Sequence, residues 1–194
     1  MNPLPEAHCT HHSAETALKV SGTDPLAAEK ISSALIRLIT GMNSNSELMR
    51  CVLCIGSDRS TGDALGPLVG SCLIKNRLPR TLILGTLAQP VHALNLGNHL
   101  RQIAEKDNPF LVIAVDASLG KPGNVGLIEV AAGPLFPGAG VNKRLPPVGN
   151  IHLSGIVNLG GFMEQMVLQS TRLFHVMEMS TVIAEGLRRT LIKI

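Results

Sequence analysis

The strongest constraint on how this chain can fold is a set of short, uninterrupted apolar runs: VLCIG at 52–56, TLILGT at 81–86 and FLVIAVDA at 110–117. A strand with one wet face alternates apolar and polar residues, whereas a run that is apolar at both parities must be covered on both sides. The segments between the runs carry the helical period. Ile31, Ala34, Leu35, Leu38 and Ile39 recur at that spacing behind Asp24 and Pro25 and stop near Gly41, and Leu65–Ile74 and Ala93–Lys106 read as two further helices. Strands alternating with helices predict an α/β three-layer sandwich with a mostly parallel central sheet. Beyond residue 120 the pattern predicts a strand at Val125–Val130, a long surface loop at Gly133–Gly149, a helix at Ile156–Gln169, a strand at Arg172–Met177 and a closing helix at Thr181–Ile194.

A chain of 194 residues fits a single domain. Residues 1–22 hold Pro3, Pro5 and three histidines without periodicity and read as a flexible N-terminal arm, which leaves 23–194 as one α/β domain. His8, Cys9, His11 and His12 are metal-donor types, but a loose terminus does not preorganise the four ligands of a structural site. With four Phe, no Tyr and no Trp, the core must be aliphatic, and a stacking platform for bases is missing. The net charge of +3 is spread along the chain, so neither a phosphate-tracking stripe nor a membrane patch is visible. No apolar run approaches the roughly 18 residues needed to cross a bilayer. Neither nucleic acid nor membrane is expected as a partner. The cysteines, Cys9, Cys51, Cys54 and Cys72, lack the dense spacing of a disulfide framework, which predicts a cytoplasmic protein. Cys51 and Cys54 imitate a redox CxxC, but in a strand residues three apart face opposite sides, so they read as inert buried thiols.

Ligands of open α/β sheets bind beyond the carboxyl ends of the strands, where loops splay apart. Two segments put polar groups there. GSDRSTGDALGP (56–67) supplies Ser57, Asp58, Ser60, Thr61 and Asp63 ahead of a helix, and DASLG sets Asp116 at the end of its strand. If the strands are neighbours, Asp63 and Asp116 converge. Repulsion then raises one pKa, and the pair can share a proton and activate water, or hold a divalent cation that does so. Asp63 can equally serve as a helix N-cap, and Asp116 can be bonded to loop amides. His152 is a candidate third residue at the same edge, whereas His92, His99 and His175 read as structural. Arg59, Lys121, Lys143 and Arg144 border the edge and can steer an acidic substrate or be ordinary surface charges. The glycine-bearing loop lacks the Lys-Ser/Thr of a P-loop, and no GxGxxG follows a strand, which argues against nucleotide sites.

The segments CIGSDRSTGDALGPLVG (54–70) and IAVDASLG (113–120) resemble the YyaC-type sporulation proteins of endospore-forming bacteria, relatives of the spore germination protease. The protease's motif reads Thr-Pro-Asp-x-Leu-Gly-Pro, matched here by Thr61, Asp63, Leu65, Gly66 and Pro67, with Gly62 in place of the proline. The resemblance implies a hydrogenase-maturation-protease-like fold and a catalytic pair at Asp63 and Asp116; the residues at the same predicted edge, Ser57, Asp58, Thr61 and His152, are the candidates for substrate binding. It further implies a protein or peptide substrate, spore proteins among the candidates, in the forespore or mother-cell cytoplasm. The chain is shorter than the germination protease and shows no activation propeptide, which keeps a non-catalytic, partner-binding role open. The wider fold group binds metal through carboxylates and a histidine, which keeps a metal-dependent hydrolase open.

Overall fold

The computed structural model describes residues 16–42, 48–105, 110–138 and 145–194. Six strands form one sheet in the order β1-β5-β6-β4-β2-β3: β1 Thr16–Ser21, β2 Met49–Cys54, β3 Thr81–Leu84, β4 Phe110–Gly120, β5 Leu127–Ala132 and β6 Ile151–Leu159. The β3-β2-β4-β6 half is parallel, and β5 and β1 add antiparallel to it. Helices α1 (Ala27–Gly41), α2 (Leu65–Leu73) and α5 (Leu173–Lys193) cover one face, and α3 (Leu96–Ala104) covers the other. A short helix, α4 (Glu164–Gln169), lies at the carboxyl edge.

The apolar runs behave as their double-sided burial requires. Val52 and Cys54 enter the larger core with Ile31, Leu65, Val69 and Ile183, whereas Cys51 and Leu53 enter the smaller core with Leu96 and Ala114. The two cysteines therefore sit on opposite faces, and burial pushes the Cys51 thiol up to about 12 and that of Cys54 higher still.

Four expectations from the sequence need correction. Residues 16–21, assigned to the flexible arm, form β1, which is held by pairing with β5 and by Gly22 N–H donating to the Gly126 carbonyl. Residues 1–15, with His8, Cys9, His11 and His12, lie outside the described residues. The predicted helix at Ile156–Gln169 is instead the end of β6 followed by α4. β6 alternates from its start, with Ile151, Leu153 and Val157 in the larger core and His152 and Ser154 on the other face, and a helix begun at Ile156 cuts that period in half. The predicted strand at Arg172–Met177 is the first part of α5, whose buried residues Val176, Met179, Ile183, Ala184, Leu187 and Leu191 follow helical spacing. Within the predicted loop 133–149, Leu135 and Val148 pair backbone to backbone and are buried against the smaller core.

Candidate active site at the carboxyl edge of the sheet

β2 ends at Cys54, opposite Val115, and Ile55 N–H still reaches the Val115 carbonyl at 2.7 Å. β4 runs on to Gly120 against β6. Asp116 is thus the first β4 residue beyond its β2 neighbour, not the last residue of its own strand as the sequence suggested. Its register partner on β6 is Ser154, and two residues on, Ser118 accepts a 2.8 Å hydrogen bond from the Ser154 hydroxyl. Asp116, Ser118 and Ser154 therefore share one face of the sheet.

Asp63 comes from the other side, in a 3-10 turn (Gly62–Ala64) that runs straight into α2. Three glycines bring it there. Gly56 has φ +139°, open to glycine, and the next amide, Ser57 N–H, donates to the Asp63 carbonyl at 3.1 Å, closing the loop. A Cβ on Gly66 would overlap the Ile55 carbonyl oxygen, so α2 rests directly on the end of β2. A Cβ on Gly62 would stand 2.8 Å from Leu168 Cδ2 and 3.0 Å from Thr171 Oγ1, so α4 rests directly on the turn. Neither the turn nor α2 receives a side-chain cap, which removes the N-cap reading of Asp63.

Asp63 and Asp116 line two adjoining lobes of one cleft, of about 290 and 340 Å³. Gly138 and Leu168 also border both. One lobe is walled by Leu119, Leu135, Phe136 and Leu168, with Ser118, Ser154 and Glu164. The other sets Ser57, Arg59, Ser60, His92, Gln165 and Gln169 among Ile55, Pro137 and Leu145. Asp116 is only 8% exposed. Burial first, and the charge of Asp63 second, raise its pKa well above the usual carboxylate range, against the pull of the Ala117 N–H that donates to Oδ1 at 2.8 Å. Burial also raises Asp63, offset in part by the Ser57 amide and by His92. The amide that Asp116 accepts from belongs to β4 itself rather than to a loop, and Asp116 lines both lobes of the cleft.

His92 is the residue that the sequence reading missed. Val91 bridges to Ile55, and its carbonyl accepts Gly56 N–H at 2.8 Å, which delivers His92 to the cleft. Asn95 clamps it: Asn95 Oδ1 accepts His92 N–H at 2.8 Å, and Asn95 Nδ2 donates to the Pro90 carbonyl. His92 Nδ1 accepts from Leu94 N–H at 3.3 Å, so the neutral ring carries its proton on Nε2. Of the residues proposed from sequence, Ser57 lines the cleft and Arg59 joins it, whereas Asp58 is exposed and Thr61 borders neither lobe. His152 lies two residues before Ser154, about 6–7 Å along the strand. Its Nδ1–H is spent on the Gly133 carbonyl at 3.0 Å. Lys121 is exposed outside both lobes, and Lys143 and Arg144 lie outside the described residues. Among the described residues no three His, Cys, Asp or Glu side chains converge closely enough to hold a metal ion, so Asp58 and His152 do not complete a metal centre with the pair. No helix among the described residues is long and apolar enough to cross a membrane.

Residues 19–186 match the model of a family described as a protein of unknown function, DUF1256. The chain belongs to the DUF1256 family. It is 50% identical over 172 residues to the uncharacterized protein YyaC of Bacillus subtilis (strain 168), covering 88% of this chain and 82% of that protein. In three dimensions it resembles the NiFe hydrogenase maturation protease HycI from Thermococcus kodakarensis KOD1, with a TM-score of 0.52 and 21% identity over 82% of this chain and 99% of that one. At that identity the likeness is one of fold: a mixed α/β protein with a six-stranded, mostly parallel sheet flanked by helices.

Proposed function

We propose that this DUF1256 protein is a peptidase of the germination-protease type in which Asp63 and Asp116 activate water. The observation that carries the reading is the buried carboxylate of Asp116 sharing a cleft with Asp63, whose charge adds to burial in raising the cost of ionising Asp116. Two carboxylates so placed can hold one proton between them, and Asp116, the more buried, is the one that keeps it. Ionised Asp63 then takes a proton from water as the water oxygen bonds to the peptide carbonyl carbon. Nε2–H of His92, in the second lobe, donates to the developing oxyanion. Collapse of the intermediate breaks the C–N bond, with the Asp116 proton going to the leaving nitrogen, and exchange of one proton between the aspartates restores the starting state. His92 here replaces Thr61, which does not border the cleft, as the oxyanion donor.

The resemblance of both motifs to the germination protease supports proteins of the forming spore as substrates and the cytoplasm of a spore-forming cell as the place of action. The test incubates wild type, Asp63→Asn and Asp116→Asn with acid-soluble spore proteins and with β-casein, reading products by mass spectrometry. Cleavage by wild type alone is expected. Equal cleavage by all three removes the proposal.

A further inference from the structure

β4 outruns β2. Its pairing with β2 stops at Val115, opposite Cys54, with Ile55 N–H adding one last bond to the Val115 carbonyl, whereas its pairing with β6 continues to Gly120. The chain of β2 does not follow, because Gly56 turns it aside at φ +139° and gives its N–H to the Val91 carbonyl. Residues 116–120 of β4 therefore have a strand on one side and, among the described residues, none on the other.

The free side can be read residue by residue. Along a strand, the N–H and C=O of one residue point to one neighbour and those of the next residue to the other. Val112 and Gly120 point to the β6 side: the Val112 carbonyl accepts from Asn150 N–H at 2.8 Å, and the Gly120 carbonyl from Gly160 N–H at 2.9 Å. Val115 points to the β2 side. Ala117 and Leu119, at the same parity as Val115, turn their backbone groups to the side that β2 has left. Ala117 N–H donates to Asp116 Oδ1 at 2.8 Å. The Ala117 carbonyl and both backbone groups of Leu119 have no backbone partner among the described residues.

Beside them lies the cleft. Asp116, Ala117, Ser118 and Leu119 line its lobe of about 290 Å³, whose walls come from both faces of the sheet. Leu135 belongs to the smaller core, and Leu168 packs against the larger one. The space between them is thus level with the sheet, where a neighbouring strand would lie about 4.8 Å from β4. Asp63, whose carbonyl holds Ser57 N–H just past Gly56, stands at the end of this slot nearest β2.

We propose that the free edge of β4, from Ala117 to Leu119, binds one extended segment of unfolded polypeptide as an added strand in line with β2. Backbone donors and acceptors at strand spacing are complementary to another extended backbone, whatever its sequence, and this selects the occupant. The walls restrict it to a single chain. A strand still carried in a folded sheet brings layers on its own faces, and those would meet Leu135 and Leu168. Side chains of the added strand alternate between the two walls, and its backbone passes Asp116 toward Asp63. Cleavage of the bound segment rests on the peptidase reading, but binding does not.

The experiment uses the full chain with Asp63→Asn, which prevents turnover and keeps the bond between Asp116 and Ala117. The probe is fluorescein-labelled, reduced and alkylated α-lactalbumin, and native α-lactalbumin is the folded control of the same sequence. Fluorescence anisotropy is expected to show binding of the unfolded probe only. With the probe bound, amide exchange followed by NMR should slow about tenfold or more at Leu119 and stay unchanged at Gly120, which faces β6. Leu119→Pro removes the free N–H and no ladder bond, and should raise the Kd about tenfold over Leu119→Ala, which loses the same packing but keeps the N–H. If circular dichroism shows that Leu119→Pro does not fold, the exchange at Leu119 decides. Unchanged exchange at Leu119, equal binding of folded and unfolded probe, or no binding overturns the proposal. So does a homodimer in sedimentation that Leu119→Pro dissolves while the probe fails to bind, because the edge then belongs to a second copy. Protection of Leu119 without cleavage by wild type keeps the added strand and removes the peptidase reading; cleavage by wild type with Leu119 exchange unchanged does the reverse.

Discussion

Replacing Gly66 by alanine tests whether the site is built on the contact between α2 and β2. The added Cβ would stand 2.8 Å from Ile55 N and 2.9 Å from its carbonyl carbon, and would overlap the carbonyl oxygen. Carbon contacts settle near 3.5–4.0 Å, so α2 must retreat by about 1 Å. The obstacle is backbone just past the end of β2, held by its bridge to Val91 and its bond to Val115, which cannot rotate aside. Overpacking of this kind costs about 1–3 kcal/mol and sometimes more, and we expect the upper end, near 3 kcal/mol, even after the modest helix preference of alanine over glycine. For a chain of this size, about 2–4 °C of Tm accompanies each kcal/mol, which gives a fall of roughly 6–12 °C. Gly97→Ala is the internal control. Gly97 lies in α3, and a Cβ there meets nothing within 4 Å, so the same chemical change should raise stability, by up to about 1 kcal/mol. Thermal unfolding followed by circular dichroism reads both. A Gly66→Ala protein that melts with wild type refutes the seating of α2. Since Asp63 lies three residues before Gly66, a displaced α2 should also lower cleavage more than the loss of stability explains.

Three further predictions concern titratable groups. The native state holds a proton on Asp116 that the unfolded chain releases near the ordinary 3.8, so this group's contribution is most favourable below that value and declines as pH rises toward the native pKa. Asp116→Asn should therefore gain stability relative to wild type across that rise, measured as the difference between their urea midpoints from pH 3 to 8; a constant difference contradicts the burial of the ionised form. His92→Gln removes an influence that lowers Asp63, so the Asp63 carboxyl should titrate at higher pH in the variant, seen in its 13C shift, and no movement would separate His92 from the pair. Iodoacetamide should leave Cys51 and Cys54 unmodified in the native protein and label them only after unfolding, because burial holds both as thiols; labelling of either at native pH would show that β2 opens.

What the sequence reveals depends on whether the signal is local. β2 and β4 are legible because burial on both faces is written into consecutive residues, and the opposed faces of Cys51 and Cys54 follow from strand period alone. Asp63 and Asp116 are legible as a pair because each stands beside an apolar run that predicts the same sheet edge. β1 is not legible: Thr16–Ser21 has two exposed residues and one buried, and only pairing with distant β5 makes it a strand. The first turns of α5 mislead, because Leu173, Phe174 and Met177 are apolar but exposed, so the helical stripe becomes visible only when Val176 is grouped with Met179 and Ile183. His92 is hidden for the same reason as β1. Its place is set by the Val91–Ile55 bridge, a backbone contact across 36 residues that leaves no periodic trace, and by the side chain of Asn95 three residues on. The sequence signal that points to it is a histidine three residues before an asparagine in a Pro-interrupted loop.

The motif around Asp63 mixes two requirements that mutation can separate. Gly62 and Gly66 are demanded by sterics, one under α4 and the other on Ile55, and a protein that merely kept this architecture would keep both. The aspartates are different. Asp116 is buried, is pushed toward its neutral form by Asp63 as well as by burial, and finds one backbone amide in return. An asparagine would fill the same space at less cost to the fold. Carboxylates that destabilise the structure and gather in a cleft are the pattern expected when chemistry sets the residue type, whereas the glycines follow from packing alone. The prediction that Asp116→Asn stabilises the protein while ending cleavage is thus the sharpest division between a working peptidase and a binding protein on the same fold: gain of stability with no loss of any activity would leave the aspartates without a reason.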